Sequence, residues 1–202
     1  MKNFGTFFVV TFFLYFGQIT ADVKPPETFE TKSLTLRHPV ESDMQIVFDK
    51  YTSVLVVSTY LPWAPHTNID QTIQRYLIEQ GKDGLFCWVI HEKTTGNFVG
   101  MATMAVKQEE ASSKYEIFVA CGFIPDTWGN GYAKELLQFG IEWFKKSDVQ
   151  KLCTTTHREN SYMINILNAS EMVLEATDVS TKVADDTLEN RLYYSIEKEA
   201  TE

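Results

Sequence analysis

The sequence predicts a mixed α/β (α+β) fold, one sheet covered by helices on both faces rather than a doubly wound parallel sheet. Three observations carry this. Apolar, β-rich runs stand next to one another without a helix between them, as in "LFCWVIHE" followed by "NFVGMATMAV". Amphipathic helical runs precede, interrupt and follow those strands. The resulting order, β-α-α-β-β-β-α-β-α-β-β, mixes hairpins with helical connections, which a purely parallel sheet does not. With 202 residues, 44% of them hydrophobic, the chain suffices for one compact domain with a substantial core.

The N-terminus differs in character from the rest of the chain. Residues 1–21, "MKNFGTFFVVTFFLYFGQITA", join one Lys near the start to an apolar stretch from Phe4 to Phe16 and a small residue at Ala21. That is the layout of a secretory signal peptide, with Ile19 and Ala21 where the peptidase reads. The apolar run is short for a membrane span, which takes about 20 residues. Cleavage is the favoured reading; an uncleaved anchor and an extension with no targeting role are the others, and a membrane is a partner only if the segment stays attached. Cleavage after Ala21 removes Lys2 and no acid, taking the formal charge from −9 to −10. Residues 22–32, "DVKPPETFETK", read as a linker, the domain as 33–198 and the last four residues as a tail.

Within the domain, "SLTLRHP" alternates Leu34 and Leu36 with polar residues, a half-buried strand, and "ESDMQIVFDKY" follows as a helix with Ser42 or Asp43 as its cap. "YLPWAPHTN" is a loop, since its prolines interrupt a helix. "TNIDQTIQRYLIEQGKDG" sets Ile69, Ile73, Tyr76 and Leu77 on one helical face, with Thr67 and Asp70 as an approximate capping box and Gly81 as terminator. After the hairpin through "KTTGN", "KYEIFVACGF" is a third strand, and "KQEEASSK" at 107–114 its solvated turn. The helix from "GYAKELLQFGIEWF" aligns Ala133, Leu136, Leu137, Gly140, Ile141 and Phe144 as a core stripe. "KLCTTT" is a strand, "ENSYMINILNAS" a helix, and "MVLEATDVS" with "ENRLYYSIE" a closing strand pair.

Composition excludes several classes of function. A charge of −9 without a Lys/Arg cluster argues against a nucleic-acid partner. Cys87, Cys121 and Cys153 lie in strand-like runs and read as small hydrophobes, an odd count with no zinc or redox spacing. The four histidines are scattered without metal-ligand spacing, so no metal is expected. The sequon at Asn168 falls in a helix and is expected to be unused.

The chemistry concentrates in "DTWGNGYAKELL". Gly129 and Gly131 stand between a strand and a helix, where missing Cβ atoms let a ligand approach successive backbone N–H groups. Those donors open a helix, whose free amides and dipole favour an anion such as a pyrophosphate. The spacing is neither the dinucleotide fingerprint nor a P-loop. Taken alone, two such glycines also fit an ordinary turn.

"FIPDTWGNGYAKELLQFGIEWF" resembles the cofactor loop and helix of the GNAT superfamily of acyl-CoA-dependent N-acetyltransferases, in its RimJ/RimL-like, ribosomal-protein-type branch. Pro125, Trp128, Gly129, Gly131, Tyr132 and Ala133 match that branch in order. "LTLRHPVESD", "YLPWAPHTNIDQTIQRYL" and "RENSYMINILNAS" resemble its first strand, its Trp-Pro loop with second helix, and its Asn-bearing segment. The resemblance runs from about Ser33 to Glu197.

It implies a mostly antiparallel sheet with one splayed parallel pair, opening at "VACGFIP" and "CTTTH". Acetyl-CoA is the implied co-substrate, with its pantetheine arm on backbone near Phe123 and Ile124 and its pyrophosphate on Gly129, Asn130, Gly131, Tyr132 and Ala133, beside Trp128. Asn160 is implied near the thioester or the pantetheine. The implied partner is an amine acceptor, a small molecule or a protein N-terminus, attacked directly with no covalent enzyme intermediate. Trp63 and His66 lie in the loop that borders the acceptor in relatives.

Glu116, on the strand before the motif, is the candidate base if it faces the cleft, and a solvated carboxylate if it faces away. Relatives often carry Ser or Tyr where this chain has Met163 and Leu167, and Ser161 and Tyr162 are expected to point elsewhere. A non-catalytic acyl-CoA-binding module is therefore the alternative. An acetyl-CoA co-substrate suggests the cytoplasm, whereas the leader suggests the secretory pathway.

Overall fold

The computed structural model describes residues 23–61, 63–108, 115–177, 181–183, 186–188 and 190–199; the leader at 1–21 and most of the turn at 107–114 lie outside the described residues. Eight strands form one sheet in the order β1-β2-β3-β4-β5-β6-β10-β7. They are β1 (Thr28–Glu30), β2 (Leu34–Arg37), β3 (Leu85–Glu92), β4 (Phe98–Gln108), β5 (Tyr115–Phe123), β6 (Lys151–His157), β7 (Val173–Thr177) and β10 (Arg191–Glu197). A separate hairpin, β8 (Thr181–Val183) with β9 (Asp186–Leu188), sits between the two strands of the expected closing pair. All described pairings within the sheet are antiparallel except β5 with β6. The helix between β5 and β6 makes that exception possible, because a parallel neighbour needs a crossover.

Alternation along β3 shows why both sheet faces are covered. Trp88 and Ile90 enter one apolar cluster, with Leu137, Ile141 and Phe144 of helix α4 (Tyr132–Lys146) and Leu167 of α5 (Ser161–Asn168). Cys87 and Val89 enter a second, with Met44 and Val47 of α1 (Met44–Val47), Val57 of α2 (Leu55–Ser58) and Tyr76, just beyond α3 (Ile69–Ile73). Strand side chains alternate with period two, so a strand buried on both sides reads as a continuous apolar run.

Three expectations are corrected. The stretch read as a linker contains β1, in register with β2 from Thr28↔Arg37 to Glu30↔Thr35. Phe29 holds it, stacked on Phe139 at 4.6 Å and edge-on to Trp88 at 5.7 Å; one aromatic outweighs a polar, proline-bearing composition. The cap of α3 is Asn68, whose side chain accepts from the Gln71 N–H at 3.1 Å, while Gln71 accepts from the Thr67 N–H at 2.7 Å. The box is thus one residue later than expected and uses Gln71 rather than Asp70. Asp43, one of the two expected caps, stands at the N-cap position of α1, but its side chain makes no cap bond there. Asp43 reaches back instead to accept from the Val40 N–H at 2.7 Å and from the two terminal nitrogens of the Arg37 guanidinium.

The α4 stripe is as expected, with Leu137, Ile141 and Phe144 buried. Gly140 shares it, yet a Cβ added there meets nothing within 4 Å. Gly140→Ala should therefore stabilise the fold by about 1 kcal/mol through helix propensity alone. A thermal melt checks this; a lowered midpoint would mean the space is not open.

Candidate active site

The site begins where β5 and β6 part. Their parallel register holds for three pairs, Glu116↔Lys151, Ile117↔Leu152 and Phe118↔Cys153. The Thr154 hydroxyl then donates to the Val119 carbonyl at 2.8 Å. Beyond that bond β5 continues to Phe123 along β4, and β6 continues to His157 along β10. The gap opens a cavity of about 560 Å³, lined by Ala120, Gly122 and Phe123 on one side and Thr155, Thr156 and Asn160 on the other. The splay expected at "VACGFIP" and "CTTTH" is present.

The glycine turn closes one end. Gly129 has φ +84 and Gly131 φ +81, a left-handed conformation that side chains resist, and a Cβ on either would meet nothing within 4 Å. Both glycines answer to the backbone and leave the approach to the amides clear. Gly131 caps α4, so the amides of Tyr132, Ala133 and Lys134 have no acceptor within the helix. Free amides with a 15-residue helix dipole behind them favour an anion. The Trp128 indole N–H donates to the Phe123 carbonyl at 2.7 Å and pins the turn to the end of β5. The Tyr132 hydroxyl donates to the Glu92 carboxylate and fixes the first turn of α4 against β3.

Phe123, Trp128, Gly129, Gly131, Tyr132, Ala133 and Asn160 all line the cavity. Ile124 and Asn130 do not. The Ile124 N–H donates to the Val99 carbonyl at 2.9 Å and its side chain is buried with the second cluster, so it has no amide for a pantetheine arm.

The far end departs further from expectation. Glu116 is not on the cavity: it lies in the paired part of β5, between Lys107 of β4 and Lys151 of β6. Its neighbour Ile117 takes the buried position under α4, which puts Glu116 on the opposite face. The carboxylate that does line the cavity is Glu159, the only one among the described lining residues. Ser161 and Tyr162 line it too, against the expectation that the helix turns them away. Asn160 explains this. Its side chain accepts from the Met163 N–H at 3.1 Å and caps α5, so that helix starts at the cavity and its first three residues line it. The spacing of a helix cap was the signal that could have revealed it.

Trp63 and His66, expected at the acceptor, do not line the cavity, although Val56, Val57, Tyr60 and Leu61 of the preceding segment do. Trp63 packs 5.7 Å from Tyr51 and 5.5 Å from His66, and His66 Nδ1 lies 2.8 Å from the Thr72 hydroxyl. Burial, helped by the Arg75 charge, lowers the His66 pKa from 6.5 to about 4. A base depressed in the fold binds its proton more readily when unfolded. Stability should therefore fall as pH drops from about 6.5 toward 4, by on the order of 2 kcal/mol after allowance for solvent screening. His66→Gln should flatten that part of the Tm–pH curve; an unchanged slope would contradict the assignment.

Burial also raises the thiol pKa of Cys87 and of Cys121 to about 12, and of Cys153 to about 11. Cys121 lines the cavity, where burial disfavours its thiolate. Among the described residues no group of His, Cys, Asp and Glu could hold a metal ion, and no helix is long and apolar enough to cross a membrane.

A sheet split between adjacent parallel strands, with a glycine-opened helix terminus at the split, offers free amides to a phosphate-bearing ligand. The family follows from sequence: the acetyltransferase (GNAT) domain matches residues 33–173, and the chain belongs to that family. It is an acetyltransferase domain with acetyl-CoA as co-substrate, and the open amides of α4 fit a pyrophosphate. Solved structures share the fold. A GNAT-family acetyltransferase from Bacillus anthracis is 20% identical at TM-score 0.67, covering 84% of this chain and 98% of its own. Spermidine N-acetyltransferase from Vibrio cholerae, solved with CoA and spermine, is 16% identical at TM-score 0.65, covering 82% and 95%. RimL, a ribosomal L7/L12 alpha-N-protein acetyltransferase solved with coenzyme A, is 12% identical at TM-score 0.67, covering 85% and 98%. No curated protein matches the chain by sequence.

Proposed function

We propose that the protein transfers the acetyl group of acetyl-CoA to a primary amine, on a small molecule or a protein N-terminus, by direct attack. One observation carries this reading. A single cavity joins the open amides at Gly131–Ala133 to a carboxylate and two hydroxyls, Glu159, Ser161 and Tyr162. Trp128 and the glycines beside it support the RimJ/RimL-like branch, and the amine acceptors named for the two neighbours support an amine here.

The amine must be neutral to attack, and Glu159 at the cavity mouth takes its proton directly or through water. The C–N bond forms as the C–S bond breaks, and the departing thiolate takes a proton from the Tyr162 or Ser161 hydroxyl.

Thiol release from acetyl-CoA, measured over an amine panel that includes spermidine and N-terminal peptides, tests the proposal. Glu159→Gln should lower kcat about 100-fold with CoA affinity intact, in the range of a positioned general base. An unchanged kcat would remove Glu159 from the role. The alternative, a binding module without catalysis, draws on Met163 and Leu167, and CoA binding with no release over the panel would favour it. Sequencing the mature N-terminus would show whether residues 1–21 are removed.

A further inference from the structure

The base of the proposed reaction has an aromatic neighbour. The Glu159 N–H donates to His157 Nδ1 at 3.2 Å, and the His157 ring lies 5.7 Å from the ring of Tyr60. Tyr60 and Val56 line the cavity and are 38% and 46% exposed, so they border its opening rather than its packed walls. They belong to α2 and the turn after it, and Val57 between them packs on the face of the sheet opposite α4. The donor phosphates fit the N-terminus of α4, on the other face. An amine that reaches Glu159 without crossing the donor is therefore left the side of Val56 and Tyr60.

The charges on this side suit a single ammonium. Glu159 is the only carboxylate among the described lining residues. Arg191, 6% exposed, stands behind Tyr60: its guanidinium donates to the Tyr60 carbonyl at 3.2 Å and to the Thr155 hydroxyl at 3.1 Å. Among the described residues no carboxylate pairs with it. A buried cation without a counter-charge acts on its surroundings with little screening, and it opposes a second cation beside Thr155 and Tyr60. With the Tyr60 carbonyl taken, what that residue offers an acceptor is its ring.

We propose that the acceptor is a small monoamine with an aromatic body, rather than a polyamine. This rests on the acetyl-transfer reading of the cavity. The amine meets Glu159 while the body covers Tyr60 and Val56, where burial of apolar surface and ring-to-ring contact both favour it. A polyamine brings a second ammonium, for which the described lining holds no second carboxylate and which the Arg191 charge opposes. The step keeps its balance: the amine nitrogen bonds the acetyl carbon, the C–S bond breaks, and the ammonium proton leaves through Glu159 as the thiolate takes a proton.

Initial rates of thiol release from acetyl-CoA by the full chain, with phenethylamine, ethylamine, spermidine and a peptide with an N-terminal Phe as acceptors, test this. Phenethylamine should exceed ethylamine in kcat/KM by about 30-fold, the effect of burying one ring. It should exceed spermidine by at least about tenfold, since a second ammonium is left unpaired. Tyr60→Ala should cut the phenethylamine-to-ethylamine ratio by about tenfold with CoA affinity intact, a change that amine basicity cannot produce. If Tyr60→Ala fails to fold, Val56→Ala should lower the same ratio by about threefold. A ratio near one, an unchanged ratio in the folded variant, or spermidine as the better acceptor would overturn the proposal. So would a preference for the peptide over phenethylamine. Thiol release with none of the amines would instead overturn the acetyl-transfer reading beneath it.

Discussion

Gly131→Glu should abolish CoA binding while leaving the protein folded, raising Kd by about 100-fold or more. The wild-type residue caps α4 at φ +81, and a side chain there projects into open space rather than into protein. Folding should therefore lose only the cost of a left-handed non-glycine residue, about 1–2 kcal/mol. The ligand loses far more, because a carboxylate then occupies the space in front of the amides that a pyrophosphate requires. Gly131→Asn is the matched control, since Asn tolerates this backbone conformation and carries no charge. Titration of CoA into both variants, with thermal melts alongside, separates the effects. Unchanged CoA affinity in Gly131→Glu would refute the placement of the phosphates.

Gly100→Ala should destabilise the protein by about 3 kcal/mol, though it adds one methyl group. On β4, Gly100 pairs with Phe123. Its Cβ would overlap the Gly122 carbonyl oxygen and fall 3.0 Å from the Phe123 Cα. Both are backbone atoms of the neighbouring strand, so no side chain can swing aside and the strands must separate. That separation falls on the end of β5 that has already left β6 and borders the cavity, so CoA affinity should fall with stability. The Gly122 side of the contact is equally confined: a Cβ there would overlap the Tyr51 hydroxyl, and Tyr51 is buried. Gly140→Ala adds the same methyl on α4 with the opposite sign, so urea titrations of the two variants make a direct comparison. Equal midpoints would contradict the packing at both positions.

The contrast among these glycines also shows what the sequence could reveal. Gly129 and Gly131 were legible because a strand, a two-glycine turn and an amphipathic helix appear in one short span, and each has a local physical meaning. The α4 stripe and the β3–β4 hairpin were legible for the same reason, through their periods. What escaped depended on contacts distant in sequence. β1 is held by Phe29 against Phe139 and Trp88, which no composition window joins. The face of Glu116 depends on a single register step, and Ile117 takes the buried side. Glu159, Ser161 and Tyr162 reach the cavity because α5 starts, at its Asn160 cap, beside the splayed strands. The close approach of Gly100 to Gly122 is a property of two paired strands, and neither strand declares it alone.

Donor and acceptor should meet in one cavity and react without an enzyme-bound intermediate. The most direct measurement is the initial rate of thiol release from acetyl-CoA as acetyl-CoA and amine concentrations are both varied. Direct transfer predicts intersecting double-reciprocal lines, saturation in both substrates and no release without amine. Parallel lines, or a burst of thiol before amine is added, would reveal an acyl-enzyme and contradict it.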